Sequence, residues 1–183
     1  MFQPPHPFHL RPLTVADLPT VLAIEQHSFP TPTKEATYRY ELLENQLAQY
    51  RGLVMYSGSE RERLVGYAGT WLLVDEVHIS IIAVDPALRR QGLGELLLLD
   101  LLYMAVTQEA ALVTLEVREG NLAAQQLYSK YGFAVVGRRR GYYRDTGEDA
   151  VLMTVELRDN PAYQAFLDAQ RGRLLARLPT APE

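Results

Sequence analysis

The sequence predicts an α/β fold of the α+β type, in which a central mixed, mostly antiparallel sheet is flanked by helices and followed by a C-terminal helical extension. Three observations lead to this prediction. Short runs rich in β-branched and aromatic residues follow one another in the first half of the chain. One long and almost continuously apolar helical pattern comes after them. Strand and helix patterns then alternate toward the C-terminus.

The length of the chain supports one hydrophobic core. Its 183 residues, 48% hydrophobic and 22% charged, are too few for a second full domain of ordinary size. We therefore predict one domain over residues 8–157 and a helical extension over residues 158–183. The chain has no cysteine, which removes disulfides, thiolate nucleophiles and Cys-ligated zinc and suits a reducing compartment.

Composition and charge favour a cytoplasmic protein that does not enter a membrane. Met1–His9 contains three prolines and no charged segment followed by an apolar stretch, so we expect neither a signal peptide nor an anchor. The apolar stretch Leu93–Val106 is interrupted by acidic residues and is too short to span a bilayer. A net charge of −4 argues against binding to nucleic-acid backbone. We expect a monomer or homodimer.

Two helices are predicted ahead of the sheet. Thr14 and Asp17 have the spacing of a capping box, and Pro19 suits a first helical turn. The helix that begins there should end near His27. Prolines then interrupt the chain before a second helical pattern, Lys34–Leu47.

The middle of the chain predicts the sheet and its central helix. Three consecutive antiparallel strands are expected at Arg51–Tyr56, Leu64–Val74 and Val77–Val84. Gly92–Gln108 is apolar on nearly every face, as a helix buried against a sheet should be. Leu112–Val117 has the pattern of a strand in which Glu116 points away from the most apolar row.

The last elements are shorter. Asn121 is a good N-cap for a helix that reaches Lys130. Two strands, Phe133–Val136 and Ala150–Leu157, should be joined by a hairpin-like excursion. Asn160-Pro161 predicts the start of a final amphipathic helix, followed by a proline-containing tail.

The most specific segment is the turn into the apolar helix, Arg89-Arg90-Gln91-Gly92-Leu93-Gly94. Unpaired N–H groups and the positive end of a helix dipole attract an anion, and glycines let the backbone approach it. The spacing R-x-x-G-x-G differs from the Walker and dinucleotide-binding patterns. It predicts a phosphate cradle. An isolated match would more often be an ordinary strand-to-helix turn, so this interpretation depends on its context.

That context resembles a known family. The motifs, in chain order, are Ile82-Ala83-Val84-Asp85-Pro86, Arg90-Gln91-Gly92-Leu93-Gly94, Leu115-Glu116-Val117-Arg118, Asn121, Leu127-Tyr128 and Tyr131-Gly132-Phe133. From about Leu10 to Leu157 the chain resembles the GNAT family of N-acetyltransferases. A later signature, Arg139-Arg140-Gly141-Tyr142-Tyr143 with Glu148-Asp149-Ala150 and Met153, is similar to the RimI group, the bacterial ribosomal-protein-alanine N-acetyltransferases.

The resemblance implies acetyl-CoA as co-substrate. No metal is expected, because the four histidines lack metal-ligand spacing. It implies backbone hydrogen bonds from Ile82–Val84 to the pantetheine arm, a pyrophosphate wrapped by Arg90–Glu95, and a further contact from Asn121. The full cofactor-binding set is then Ile82, Ala83, Val84, Arg89, Arg90, Gln91, Gly92, Leu93, Gly94, Glu95 and Asn121.

Two catalytic residues are expected, Glu116 as base and Tyr128 as acid. Both assignments come from the positions these residues share with the family. A carboxylate can remove a proton from an α-amine whose reference pKa is about 7.7 to 8.0, and a phenol with a reference pKa of about 10 stays protonated near neutrality. By pattern alone, Glu116 would be a solvated or salt-bridged strand residue, and Tyr128 would equally suit a core stripe. With no cysteine, direct transfer through a ternary complex is expected.

The expected acceptor is a protein N-terminal α-amine, that of an N-terminal alanine of a small-subunit ribosomal protein. Two alternatives remain open. A deep acidic pocket lined by Glu25, Glu41 or Glu44 would favour an enzyme for a small amine. The other alternative is a non-catalytic acetyl-CoA-binding module, and the presence of both Glu116 and Tyr128 argues against it. One departure is that family members often carry a tryptophan just after Phe29-Pro30, where this chain has threonine.

Other polar residues have less specific patterns. The histidines at positions 6, 9, 27 and 78 lack metal-ligand spacing, so surface or core roles are expected. The run Arg138–Arg140 is expected to be a solvated strand end, with a grip on coenzyme phosphate or an acidic partner as the alternative. Tyr142 and Tyr143 either line the acceptor groove or are exposed hairpin aromatics.

Overall fold

A computed structural model describes residues 4–57, 61–158 and 160–179. Its helices are α1 (Leu18–Ser28), α2 (Glu35–Leu43), α3 (Leu93–Thr107), α4 (Leu122–Lys130) and α5 (Tyr163–Leu175). Its strands are β1 (Phe8–Pro12), β2 (Ala48–Ser57), β3 (Arg61–Leu73), β4 (Glu76–Val84), β5 (Leu112–Arg118), β6 (Ala134–Tyr143) and β7 (Glu148–Glu156). The predicted mixed sheet with flanking helices is therefore confirmed.

The seven strands form one sheet in the order β1-β2-β3-β4-β5-β7-β6. All neighbours are antiparallel except β4 and β5. The parallel pairing joins Glu76–Ile79 to Leu112–Leu115 and goes no further along either strand. A bulge at Ser80 follows, because β3 skips this residue when it pairs with β4. The two central strands therefore part just before the predicted base, Glu116, where β5 no longer pairs with β4 but still pairs with β7.

Helices cover the two faces of the sheet in separate groups. α3 and α5 pack on one face, in a core that includes Leu53 and Ala68. α1 and α2 pack on the other face, with Val54 and Tyr67. Leu53 and Val54 are neighbours on β2, and Tyr67 and Ala68 are neighbours on β3. Because successive side chains of a strand point to opposite faces, each strand contributes to both cores.

The central helix α3 is buried on almost all sides, as its composition predicts. All seven of its leucines are fully buried, and even Asp100 is buried, where it forms an ion pair with Arg51 of β2. Arg51 Nε and Asp100 Oδ2 are 2.7 Å apart. Since buried charges are tolerated only when paired, this contact fixes α3 against the sheet.

Some boundaries differ from the sequence predictions. β1 was not predicted: its five residues form an edge strand that pairs with β2 through Phe8–Pro12, and local pattern alone is weak over so short a segment. α2 ends at Leu43 rather than Leu47, and Tyr40 is exposed while Tyr38 is buried. β6 continues to Tyr143, so the arginine run lies within a long hairpin.

The predicted boundary between residues 157 and 158 stays a prediction. α5 lies in the proposed extension and packs directly on α3. Residues 1–3 of the N-terminal segment, and residues 159 and 180–183 of the extension, lie outside the described residues. Within the described ranges, no helix has both the length and the apolar character needed to cross a bilayer.

Candidate active site

A cleft of about 700 Å³ opens where β4 and β5 part. Its walls come from the loop between α1 and α2, the ends of β4 and β5, the start of α4 and the β6–β7 hairpin. Four residues of the predicted site line it: Ile82, Glu116, Asn121 and Tyr128. The fold thus brings the predicted base and acid to one cavity. Ile82 of β4 and Asn121, the N-cap of α4, are both predicted to bind the coenzyme and line the same cavity.

Glu116 is held between two nitrogen-bearing side chains. Its Oε2 lies 3.2 Å from His78 Nε2, and its Oε1 lies 3.2 Å from Arg139 Nη1. The carboxylate is largely shielded, while the Arg139 side chain is about half exposed. An ionised carboxylate has about four lone-pair sites, so these two contacts leave acceptor capacity for an amine or a water in the cleft.

His78 contacts the predicted base, a contact that the sequence did not predict. Its imidazole stacks on Trp71, with ring centroids 5.5 Å apart and planes 16° apart. The Trp71 indole N–H in turn donates a 2.7 Å hydrogen bond to Glu41. The sequence contained a signal for the contact between His78 and Glu116, because polar residues at every second position of a strand share one face. That signal becomes recognisable only when the strand order shows that β4 and β5 are neighbours.

The arginine run Arg138–Arg140 is exposed, as expected, but it lies inside β6 rather than at a strand end. Arg139 also contacts Glu116, and Arg138 contacts Glu119. The Arg139 guanidinium also lies 5.5 Å from the centroid of the Tyr142 ring. The run therefore partly supports the cleft, because β7 lies between β5 and β6 and the Arg139 side chain reaches past it to Glu116.

Tyr128 projects from α4, whose first turn is capped by Asn121 accepting the Ala124 N–H at 3.2 Å. The Tyr128 ring packs against Phe133, with centroids 5.8 Å apart. Burial, with a smaller contribution from Tyr143, raises the pKa of Tyr128 to about 12. Its hydroxyl is therefore protonated throughout the neutral range and can act as a hydrogen-bond donor.

The β6–β7 hairpin is fixed over the cleft by Arg118. Its guanidinium contacts Asp145 at 2.7 Å and Glu148 at 3.4 Å, and it lies 3.9 Å from the centre of the Tyr143 ring. Tyr142 and Tyr143 both line the cleft. The hairpin aromatics thus form one wall of the cavity rather than a free loop.

The opposite wall, the loop Phe29–Thr33, depends on the buried carboxylate of Glu25. Glu25 is 1% exposed and accepts hydrogen bonds from the Tyr38 hydroxyl at 2.7 Å, the Tyr67 hydroxyl at 2.5 Å and the Thr33 N–H at 2.6 Å. Both of its oxygens therefore have hydrogen-bond partners within the fold. Glu25 positions the loop instead of offering a free charge to the cleft.

The acidic pocket considered for a small amine is not assembled. Of its three predicted members, Glu25 alone lines the cleft. Glu41 accepts hydrogen bonds from Trp71 and Asn45, and Glu44 lies on the surface at the end of α2.

The turn into α3 has the geometry expected of an anion cradle. Gly92 is the N-cap residue with φ of 85°, in the left-handed region that favours glycine. The first helical hydrogen bond runs from the Leu96 N–H to the Gly92 carbonyl at 2.9 Å, so the N–H groups just before Leu96 have no partner within the helix. A Cβ at Gly94 would meet only Val84 Cγ2, at 3.9 Å, which leaves room for a ligand.

Side chains around this turn differ in their suitability for a phosphate. Arg90 and Gln91 are exposed. Arg89 is tied down, since it donates to the Val84 carbonyl at 3.3 Å and to Ser28 Oγ at 2.7 Å. Leu93 is buried and contributes only its backbone. Because Ser28 also lines the cleft, Arg89 links the turn to the cavity.

Comparison with known proteins agrees with this geometry. The model of the acetyltransferase (GNAT) family matches residues 18–133. The [ribosomal protein bS18]-alanine N-acetyltransferase of Escherichia coli K12 is 35% identical over 147 residues, which are 79% of this chain and 95% of that protein. The crystal structure of the Escherichia coli ribosomal-protein-S18-alanine N-acetyltransferase superposes with a TM-score of 0.70 at 33% identity, covering 81% of this chain and 93% of that one.

A more distant structure, Arabidopsis thaliana NAA60 in complex with acetyl-CoA, shares the fold with a TM-score of 0.71 at 20% identity, over 82% of this chain and 98% of that one. The fold and the cleft define an acyl-transferring enzyme. The family match spans more than half of the chain, and the protein therefore belongs to the GNAT family of acetyl-CoA-dependent N-acetyltransferases.

Proposed function

We propose that the protein acetylates the N-terminal α-amine of a protein, namely the N-terminal alanine of a small-subunit ribosomal protein. The observation that carries this proposal is the 35% identity, over 79% of the chain, to an enzyme named for that reaction on bS18. A flexible N-terminal peptide can enter the cleft by itself, so no contact with ribosomal RNA is needed. The net charge of −4 agrees with this, and the reaction belongs in the cytoplasm.

Acetyl-CoA is held by backbone more than by side chains in this proposal. Ile81–Val84 pair with β3 on one side only, so alternate residues present N–H and C=O groups to the pantetheine arm on the other. The N–H groups of Gly92–Glu95 and the charge of Arg90 receive the diphosphate. Asn121 uses its carbonyl oxygen as a helix cap, so its contact with the coenzyme comes from the amide nitrogen.

Glu116 acts as the base, directly or through one water. An α-amine has a reference pKa of about 7.7 to 8.0, so removal of its proton near neutrality is inexpensive. The contacts from His78 and Arg139 orient the carboxylate toward the cleft. The N–H of the β4 end near Val84 polarises the acetyl carbonyl.

Tyr128 assists the departing thiolate. Its pKa of about 12 lies above the reference value of about 8.5 for a thiol, so complete proton transfer to sulfur is unfavourable at first. We infer that the hydroxyl donates a hydrogen bond that stabilises the developing negative charge. In the overall reaction the C–N bond forms and the C–S bond breaks. Glu116 takes the proton that the attacking nitrogen loses and later releases it to solvent, and the thiolate takes one proton from solvent as CoA leaves, so the protons balance. No enzyme-bound acetyl group is required.

The acceptor can be tested with a peptide that begins with alanine and contains one internal lysine. We expect mass spectrometry after incubation with acetyl-CoA to show one added acetyl group, located on the α-amine by fragmentation. The hairpin wall of Tyr142 and Tyr143 suits a peptide chain. The acidic residues that line the cleft in the described part of the chain already have hydrogen-bond or ion-pair partners, which argues against a small cation as acceptor.

Two controls separate the alternatives. The same peptide with a blocked α-amine should remain unmodified, and spermidine should give no product. Acetylation of spermidine but not of the peptide would make the protein a small-amine acetyltransferase. Binding of acetyl-CoA without turnover of any acceptor would favour a non-catalytic module.

A further inference from the structure

The helix α5 contacts the turn that we assign to the diphosphate. Leu174 of α5 and Leu178 just beyond it are buried. A Cβ built on Gly92 would lie 3.2 Å from Leu174 Cδ1 and 3.3 Å from Leu178 Cδ2. The family match ends at residue 133, so this packing comes from a part of the chain that the family model does not include.

The same segment supplies a charge to the first turn of α3. Glu95 is buried there, and its Oε1 accepts hydrogen bonds from Lys130 Nζ at 2.6 Å and from the Tyr131 hydroxyl at 2.9 Å. Its Oε2 accepts a hydrogen bond from the Arg177 guanidinium. Three donors from two different elements therefore enclose one carboxylate.

This carboxylate is ionised. Burial is the largest single influence and would raise the pKa of Glu95, but the hydrogen bonds from Lys130, Arg177 and Tyr131 together lower it below its ordinary value. A negative charge in the first turn stabilises the helix itself. It also competes with any anion that binds to the same N–H groups, because both interact with the same end of the helix dipole.

The two cations change the sign of this local charge. Glu95 alone contributes one negative charge, whereas Glu95 with Lys130 and Arg177 forms a group with one net positive charge. Glu95 and Lys130 together have a net charge of zero, so the addition of Arg177 makes the net charge of the group positive. Because its side chain is about half exposed, it has access to solvent and is not required to fill the core.

We propose that the C-terminal helix is a clasp on the coenzyme site, and that Arg177 is a positioning residue for the diphosphate of acetyl-CoA. Arg177 draws the Glu95 carboxylate away from the anion and neutralises it, while Leu174 and Leu178 hold Gly92 in its left-handed conformation. This inference rests on the assignment of the diphosphate to Gly92–Glu95 made above.

The test is the variant Arg177→Ala, with Arg173→Ala as the matched control. Arg173 lies in the last turn of α5 and is exposed, and the described residues offer it no ion pair. We expect Arg177→Ala to raise the KM for acetyl-CoA roughly tenfold, because one positive charge near the diphosphate is lost. The Kd for CoA, measured by calorimetry, should rise by about the same factor. The KM for the acceptor peptide and the values for Arg173→Ala should not change.

A second substitution separates charge from folding. Adding Glu95→Gln to Arg177→Ala removes the carboxylate that Arg177 neutralises, so the Kd for CoA should return to within about twofold of the wild type. Arg177→Gln, which keeps the length of the side chain, repeats the measurement if Arg177→Ala does not fold.

The outcomes that overturn the inference are specific. An unchanged Kd in Arg177→Ala, an equal rise in the peptide KM, or no recovery in the double variant would each contradict the clasp. A wild-type protein that does not bind CoA at all would instead contradict the proposed function.

Discussion

Replacing Glu116 with glutamine is expected to lower kcat/KM for an alanine-starting peptide by about 10²- to 10⁴-fold, the range typical of a lost general base. The substitution keeps the shape of the side chain and removes only its ability to accept a proton. The contacts with His78 and Arg139 can be partly retained by the amide. Steady-state kinetics at pH 7 should therefore show a fall in kcat with a small change in the KM for acetyl-CoA.

The pH dependence gives this prediction a distinct signature. Above the amine pKa of about 8, solvent alone deprotonates the acceptor, so the gap between the variant and the wild type should narrow as the pH rises. Glu119→Gln is the matched control, because Glu119 directly follows the same strand and its carboxylate forms an ion pair with the exposed Arg138. Full activity in Glu116→Gln would place the base elsewhere, and His78 would be the next candidate.

The second large effect concerns stability. Arg51→Met should reduce the free energy of unfolding by about 3–5 kcal/mol, because it leaves the Asp100 carboxylate buried and unpaired. Both residues are less than 10% exposed. For a chain of this size the loss corresponds to a fall in Tm of roughly 6–20 °C.

The direction of the pH effect follows from the pKa of Asp100. Burial is the main influence and raises that pKa, and Arg51 opposes it. Without Arg51 the pKa rises further. A carboxyl group whose pKa is higher in the folded state favours folding at low pH, and this contribution is lost as the pH rises through the folded-state pKa. Arg51→Met should therefore be less destabilised near pH 5 than at pH 8.

Thermal unfolding of three variants tests this account. Arg63→Met, which removes the exposed ion pair with Asp85, should cost less than about 1 kcal/mol. The double variant Arg51→Met/Asp100→Leu should recover most of the stability lost in Arg51→Met, since it buries no charge. If Arg51→Met is as stable as the wild type, then the loss of Arg51 does not leave the Asp100 carboxylate without a partner, and the account is wrong.

The sequence predicted most of what local patterns determine. The continuous apolar surface of Gly92–Gln108 identified α3, and strict alternation in Leu112–Val117 placed Glu116 off the buried row of β5, as the structure has it. The glycine turn and the Asn121 cap also depend on residues close in sequence. In each case one short segment contains the whole signal.

The contacts that the sequence did not predict join distant residues. His78 and Glu116 meet only because β4 and β5 are parallel neighbours, and Arg139 reaches the same carboxylate only through the order β5-β7-β6. Glu25 likewise depends on a tyrosine 42 residues away. β1 is too short for a recognisable pattern and is stabilised by its pairing with β2. Such contacts follow from topology, which local propensity does not encode.

We propose that acetyl-CoA, bound through its diphosphate at the turn into α3, faces an amine that Glu116 deprotonates. The most direct measurement is a crystal structure with a bisubstrate analogue in which CoA is joined to the α-nitrogen of an alanine peptide. We predict that the diphosphate contacts the N–H groups of Gly92–Glu95 and that the linked nitrogen lies within hydrogen-bond reach of Glu116, directly or through one water. A diphosphate bound away from this turn, or a linked nitrogen out of reach of Glu116, would contradict the account.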